Sequence, residues 1–261
     1  MTVIQVGAFI VSGVFAGVLA GFLGIGGGTV LVPILITLGY APIQAVATSS
    51  LAIIITSLSG SFQNWRMGYL DFKRVALLGL PAMITAQLGV LTASRLPEPL
   101  LLVAFAILLA LNIYLVGVRK RLAQPPNSDG TPAPRIHPVG ARLLTGGVAG
   151  FLAGLLGIGG GVIMVPLQML LLGETIKRAI QTSLGVIVLT AIASTVGHAV
   201  QGNVVWVGGI ILGLGGLMGA QLSTRALPQL PDRVVALLFR ALLAILIVYT
   251  LWQAWQQSAA S

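Results

Sequence analysis

The segment from Gly21 to Gly28 reads Gly-Phe-Leu-Gly-Ile-Gly-Gly-Gly, and Gly154 to Gly161 repeats it as Gly-Leu-Leu-Gly-Ile-Gly-Gly-Gly. Val32-Pro33 and Val165-Pro166 follow at the same distance, while Gly13 and Gly17 upstream are mirrored by Gly146 and Gly150. A match sustained in one register over that length marks two internal repeats. Each repeat opens with a glycine-striped helix that must break, because three consecutive glycines favour left-handed backbone over continued helix.

Composition places these repeats in a bilayer. The chain is 57% hydrophobic and 7% charged, with a mean hydropathy of +1.03, too little polar surface to coat a soluble globule. Apolar runs of the length a bilayer core requires recur throughout, so the fold class is an all-α polytopic membrane protein. Cutting at charges, prolines and glycine clusters gives helices near Val3 to Leu23, Thr29 to Leu38, Gln44 to Phe62, Arg74 to Ala93 and Pro99 to Val118. The second repeat gives Val139 to Leu156, Val162 to Leu172, Arg178 to Gln201, Val204 to Thr224 and Arg233 to Trp255. The run from Val3 has no basic residue ahead of it and no cleavage site behind it, and reads as a retained helix. The second helix of each repeat spans only about half a bilayer, roughly 15 Å, leaving a half-helix or a tilted, irregular span as alternatives. With no cysteine, disulfides, thiolate catalysis and Cys-ligated metals are excluded.

Charge decides between the topologies. If each short helix carries the chain back across, every repeat has an odd number of spans, and Arg66, Lys73, Arg74, Arg119, Lys120, Arg121, Arg135, Arg142, Lys177, Arg178, Arg225 and Arg233 share one side. Only Arg95 falls opposite. Re-entrant short helices would scatter these cations over both faces, against the tendency of Lys and Arg to stay cytoplasmic. The expectation is therefore two inverted repeats, residues 1–118 and 139–261, joined by a Pro-rich cytoplasmic linker at 119–138, with both termini periplasmic. The net charge of +9 then serves orientation and lipid contact, and nucleic acid is not expected as a partner.

The glycine breaks are the first candidates for a site. Bare backbone there would present N–H groups and a positive helix end, so Gly26, Gly27, Gly28, Gly159, Gly160 and Gly161 could hold an anion without a cationic side chain. Close helix packing is the alternative, and is the reading preferred for Gly13, Gly17 and Gly21. Thr48, Ser49 and Ser50, with Gln181, Thr182 and Ser183 in the second repeat, could donate to an oxyanion or could bond between helices. Asn64 and His198 each precede a glycine by four residues, although a one-residue gap leaves Asn64 and Trp65 both eligible as the counterpart of His198. For Gln87 and Gln221 packing is the preferred reading.

The absences are equally specific. Asp71, Glu98, Asp129, Glu174 and Asp232 are the only carboxylates, all expected in loops or at helix ends, so none sits mid-span to bind Na+ or relay a proton. His137 falls in the linker, leaving His198 as the one candidate for an internal titrating group, with a headgroup-level position near its helix end as the equal alternative. There is no catalytic triad, acid pair, metal-ligand spacing or phosphate-cradling loop ending in Lys, so neither an intramembrane enzyme nor an ATP-driven pump is expected, and no metal or cofactor.

The paired Gly-Ile-Gly-Gly-Gly segments with their following Val-Pro, the Thr-Ser-rich start of the next helix, and His198 with Gly202 resemble the TauE/SafE family of sulfite exporters over nearly the whole chain. That resemblance implies a bacterial inner-membrane permease for small sulfur-containing anions such as sulfite, sulfoacetate or other organosulfonates. An inside-negative potential drives anions outward, so an anion exporter needs no coupling carboxylate. The leading expectation is a secondary carrier working by alternating access; a channel-like facilitator and a non-transporting scaffold are the alternatives. The expected partners are a small anion and membrane lipids, and homo-oligomerisation is left open.

Overall fold

Three left-handed glycines stop the first helix and let the chain turn back on itself. The computed structural model describes residues 3–97, 99–108, 111, 138–242 and 244–245. Its helices are α1 (Val3–Leu23), α2 (Gly28–Thr37), α3 (Pro42–Arg66), α4 (Phe72–Ala93), α5 (Pro99–Leu108), α6 (Pro138–Leu156), α7 (Gly161–Leu171), α8 (Ile176–Val200), α9 (Trp206–Ala226) and α10 (residues 232–242), with a 3-10 turn at Leu227–Gln229. No strand occurs among the described residues. Six of the helices are long and apolar enough to cross a membrane: α1, α3, α4, α6, α8 and α9. Expected and observed boundaries agree within a few residues. The largest differences are at α3, which continues past Phe62 to Arg66, and α9, which begins at Trp206 because Val205 is non-helical at φ −89°, ψ 89°. The linker at 119–137 and the ends expected at Val118 and Trp255 lie outside the described residues.

Glycine also ends the helices. Gly68 and Gly202, at φ 76° and 73°, follow α3 and α8, and the hydrogen bonds Tyr69 N–H to Asn64 O (2.9 Å) and Asn203 N–H to His198 O (3.1 Å) close the same C-terminal motif. This geometry pairs Asn64, not Trp65, with His198. The extra residue sits in α7, which has 11 residues where α2 has 10.

The glycine stripes are packing seams. A Cβ on Gly17 would come within 2.7 Å of the Gly216 Cα, and one on Gly21 within 2.9 Å of the Thr224 N, so α1 rests backbone to backbone on α9. Gly146, Gly150 and Gly154 of α6 meet Leu78, Ala82 and Ala86 of α4 in the same way. In both seams the residue numbers rise together, so each pair is parallel. Thr48 beside Val205 and Ser59 beside Leu217 make α3 parallel to α9, and Gly79 beside Leu189 with Gln87 beside Ala193 makes α4 parallel to α8. Along the central α3–α8 contact the numbers run oppositely, with Ser50 on Ser194 and Gly60 on Leu184. Thus α1, α3 and α9 point one way and α4, α6 and α8 the other.

α2 runs back along α1, from Gly27 beside Ala16 to Tyr40, whose ring lies 6.2 Å from that of Phe9. It is a half-helix in length, yet it returns the chain to the end where α1 began, as a crossing would. The ionic contacts gather where α3 and α9 end and α4 and α8 begin: Arg74 with Asp71 and Glu174, Arg178 with Glu174, Lys177 with Asp232, and Arg225 with Gln63. We call this end of the bundle the basic face.

Candidate functional site

Each glycine break repeats one backbone conformation. Gly24, Gly26 and Gly27 have φ of 65°, 74° and 86°; Gly157, Gly159 and Gly160 have 66°, 71° and 79°. L-residues rarely adopt such values, which accounts for glycine at these six positions. Residues 23–33 and 153–166 are all buried, so the turns lie inside the protein and not on its surface. Within them, the N–H groups of Ile25, Gly26 and Gly27, and of Ile158, Gly159 and Gly160, make no hydrogen bond among the described residues. Buried donors without acceptors are rare and costly, about 1–3 kcal/mol each.

The two breaks meet. A Cβ on Gly28 would lie 2.8 Å from the Ile158 Cα, and one on Gly161 would lie 2.8 Å from the Ile25 Cα. Two counterpart side chains, Ile53 on α3 and Ile187 on α8, close over both: their Cγ2 atoms stand 3.1 and 3.0 Å from a Cβ on Gly26, and 3.3 and 2.9 Å from one on Gly159. Both isoleucines are fully buried. The two breaks, with their unbonded N–H groups, thus pack together between the halves under Ile53 and Ile187.

The hydroxyl clusters flank this centre and are largely engaged between helices. Ser49 Oγ donates to Gly157 O at 2.9 Å, Thr190 Oγ1 to Gly159 O at 3.0 Å, and Ser50 and Ser194 share a 3.0 Å bond. Thr48 Oγ1 accepts from the Val205 N–H at 3.1 Å. Ser183 Oγ accepts from Gln168 Nε2 at 2.9 Å, whereas Thr182 and Gln181 line a polar pocket of ≈ 170 Å³ on the basic face with Gly68, Asp71, Arg74 and Arg178. Gln87 clamps α4 to α8 through Ala193 O at 2.6 Å, and Gln221 clamps α9 to α3 through Gln63 at 2.9 Å.

Asn64 and His198 lie on opposite sides of the breaks, each fully buried. His198 Nε2 is 3.3 Å from Gly154 O, on the last turn of α6, so it is an interior residue although it lies near a helix end. Among the described residues, its Nδ1 and both amide atoms of Asn64 have no partner, and neither have the hydroxyls of Thr29, Ser61, Thr145, Thr195 and Thr224. The buried polar side chains among the described residues are Ser, Thr, Asn, Gln and His, with no carboxylate and no cation. No group of three or more His, Cys, Asp or Glu side chains that could hold a metal occurs among the described residues.

The profile of the family "Sulfite exporter TauE/SafE" matches residues 9–250, which include both breaks and everything between them. The chain belongs to this family. It is 28% identical over 257 residues to the "Probable membrane transporter protein YunE" of Bacillus subtilis, covering 91% of this chain and 94% of that protein. It is 28% identical over 196 residues to the "Probable membrane transporter protein MJ0441" of Methanocaldococcus jannaschii, covering 72% and 70%. A "Probable membrane transporter protein" of Haemophilus influenzae is 45% identical over 71 residues, 24% of this chain. The protein is a multi-pass membrane protein of a transporter family.

Sequence reasoning passed over several residues of this centre. Ile53 and Ile187 look like any apolar helix residue, and Val205 contributes only backbone. Aligning the repeats with the extra residue inside α7 would have paired Ile53 with Ile187 and Asn64 with His198.

Proposed function

We propose that the protein is a secondary transporter of small anions, sulfite or organosulfonates, across the bacterial inner membrane by alternating access. The single observation that carries this reading is the convergence of two buried glycine breaks whose N–H groups make no hydrogen bond among the described residues. An oxyanion would satisfy those donors, aided by the positive ends of α2 and α7, with no buried cation needed. The absence of buried carboxylates among the described residues favours an anion over a cation at the same place. The description of the family, sulfite exporter, supports a sulfur oxyanion as the anion.

Alternating access rests on the two halves being inverted repeats. Their helix directions support this, because α1 and α6, α3 and α8, and α4 and α9 are counterparts that point oppositely. In such an arrangement a shared site at the middle can be exposed to either side by rocking one half on the other. The side chains proposed to touch the anion are Thr48, Ser49, Ser50, Thr182, Ser183, Asn64 and His198 around the backbone of Gly26–Gly28 and Gly159–Gly161.

Counterflow in proteoliposomes tests the proposal. Vesicles loaded with unlabelled sulfite should transiently accumulate radiolabelled sulfite above equilibrium, with saturation as external sulfite rises. Uptake that neither saturates nor shows counterflow would instead establish a channel-like facilitator. Thermal-shift measurements with sulfite, sulfoacetate, sulfate and acetate test the ligand class, and stabilisation by neutral solutes alone would overturn the anion assignment.

A further inference from the structure

The repeats match in backbone but not in every side-chain bond, and one of the differences falls at a pair of equivalent junctions beside the centre. On the face opposite the basic one, the start of α3 is locked: Thr48 Oγ1 accepts from the Val205 N–H at 3.1 Å, and Ser49 Oγ holds Gly157 O at 2.9 Å. Their counterparts on the basic face are Thr182 with Asp71, and Ser183 with Gly24. Neither of those bonds is made. Ser183 is held by Gln168, and Thr182 and Asp71 both border the ≈ 170 Å³ pocket. The Asp71 N–H makes no hydrogen bond among the described residues, although the Asp71 carboxylate accepts from the Arg74 N–H at 3.1 Å.

Side-chain size follows the same asymmetry. Where the basic face has Arg178, Gln181 and Arg74 around its pocket, the counterpart positions hold Gln44, Ala47 and Gly208, a shorter side chain in each case. Ala47 and Gly208 are buried, which lets α3 and α9 close together where the basic face keeps its gap. Both junctions adjoin the centre directly, since Gly24 packs on Ile180 and Gly157 on Val46. Opening or closing them would therefore expose or seal the breaks.

We propose that the pocket bordered by Thr182 and Asp71 is the open mouth of the transport route, that the Thr48–Val205 bond is the shut gate at the other mouth, and that Thr182 closes onto the Asp71 N–H when the two states exchange. This rests on the alternating-access reading and names its two gates. Each named gate is one hydrogen bond outside the glycine breaks, so it can be broken while Ser49 still holds Gly157 O.

Because the chain has no cysteine, one introduced thiol reports alone. Gln181→Cys and Ala47→Cys, placed beside the two gates, are reacted with a membrane-impermeant maleimide from each side in spheroplasts and inside-out vesicles. Gln181→Cys should react readily from the basic face, and Ala47→Cys only slowly from the other. Adding Thr48→Val, or Val205→Pro to delete the donor instead, should raise the Ala47→Cys rate about fivefold, the shift expected for losing one ordinary hydrogen bond. Thr182→Val should lower it by a similar factor. If Val205→Pro leaves the Ala47→Cys rate unchanged while its counterflow is intact, and Thr48→Val leaves that rate unchanged as well, the gate assignment is wrong and alternating access stands. If either variant makes both thiols react fast together, the route is a pore open at both ends and the alternating-access reading fails with it.

Discussion

Asn64 shows how stability and function can be separated at one residue. It is fully buried on α3 and neither amide atom has a partner, an arrangement that costs about 1–3 kcal/mol if nothing else binds there. Leucine branches at Cγ as asparagine does and carries no polar atoms, so Asn64→Leu removes that cost at the expense of a slightly larger side chain. The variant should melt at the same temperature or higher in detergent, and its initial rate of sulfite counterflow should fall at least about tenfold, the cost of one missing polar contact to a charged ligand. A variant that melts normally and transports at the wild-type rate would remove Asn64 from the route. His198 was legible as an interior candidate because it was the only histidine placed within a span, whereas its pairing with Asn64 was hidden. That pairing depends on an extra residue in α7, and only the matching hydrogen bonds after the two helices reveal it.

At the scale of elements, the glycine stripes of α1 and α6 set how closely the halves can pack. Gly17 faces the Gly216 backbone, where a Cβ would fall 2.7 Å from the Cα, while a Cβ on Gly7, further out on the same helix, would meet nothing within 4 Å. Gly17→Val should therefore lower stability by about 1–3 kcal/mol, the usual cost of overpacking, and because backbone opposes backbone the upper end applies. Gly7→Val should change stability by less than about 0.5 kcal/mol, as expected away from contacts. Fluorescence-detected size exclusion after graded heating measures both, and equal losses would show that helix propensity, not the α1–α9 seam, sets the effect. The stripes themselves were readable from spacing alone, since small residues four apart share one helix face. The partner helix was not readable, because Leu212, Gly216 and Ser223 of α9 carry no mark that distinguishes α1 from α3 as a neighbour. The half-length of α2 followed from its sequence, but its direction along α1 depends on the turn at Gly24–Gly27 doubling back, a property of three φ angles.

For the whole molecule, the distribution of charge and the directions of the helices make independent statements about orientation, and they agree. Following the chain, α1 ends at the break, α2 returns, α3 runs to the basic face, and α4 comes back to the opposite end, where Arg95 lies. The charged side chains that join α3, α4, α7, α8 and the 3-10 turn, among them Arg74, Glu174, Lys177 and Asp232, all sit at the other end. Moving that end out of the cytoplasm would carry Arg66, Lys73, Arg74, Arg142, Lys177, Arg178, Arg225 and Arg233 to the periplasm, against the strongest determinant of membrane topology. We propose a cytoplasmic basic face on this ground, and it predicts a specific labelling pattern. Met67→Cys, in the exposed turn after α3, should react with an impermeant maleimide only in inside-out vesicles, whereas Ser94→Cys, after α4, should react in intact spheroplasts. The reverse pattern would invert the protein in the membrane and turn the pocket at Thr182 into an outward-facing mouth. Labelling of both from one side would contradict the single crossing of α4 and with it the opposed directions of the two halves. The outcome also decides which side the proposed open mouth faces: with the basic face cytoplasmic it faces inward, the side from which the proposed transporter would load an anion for export down the inside-negative potential.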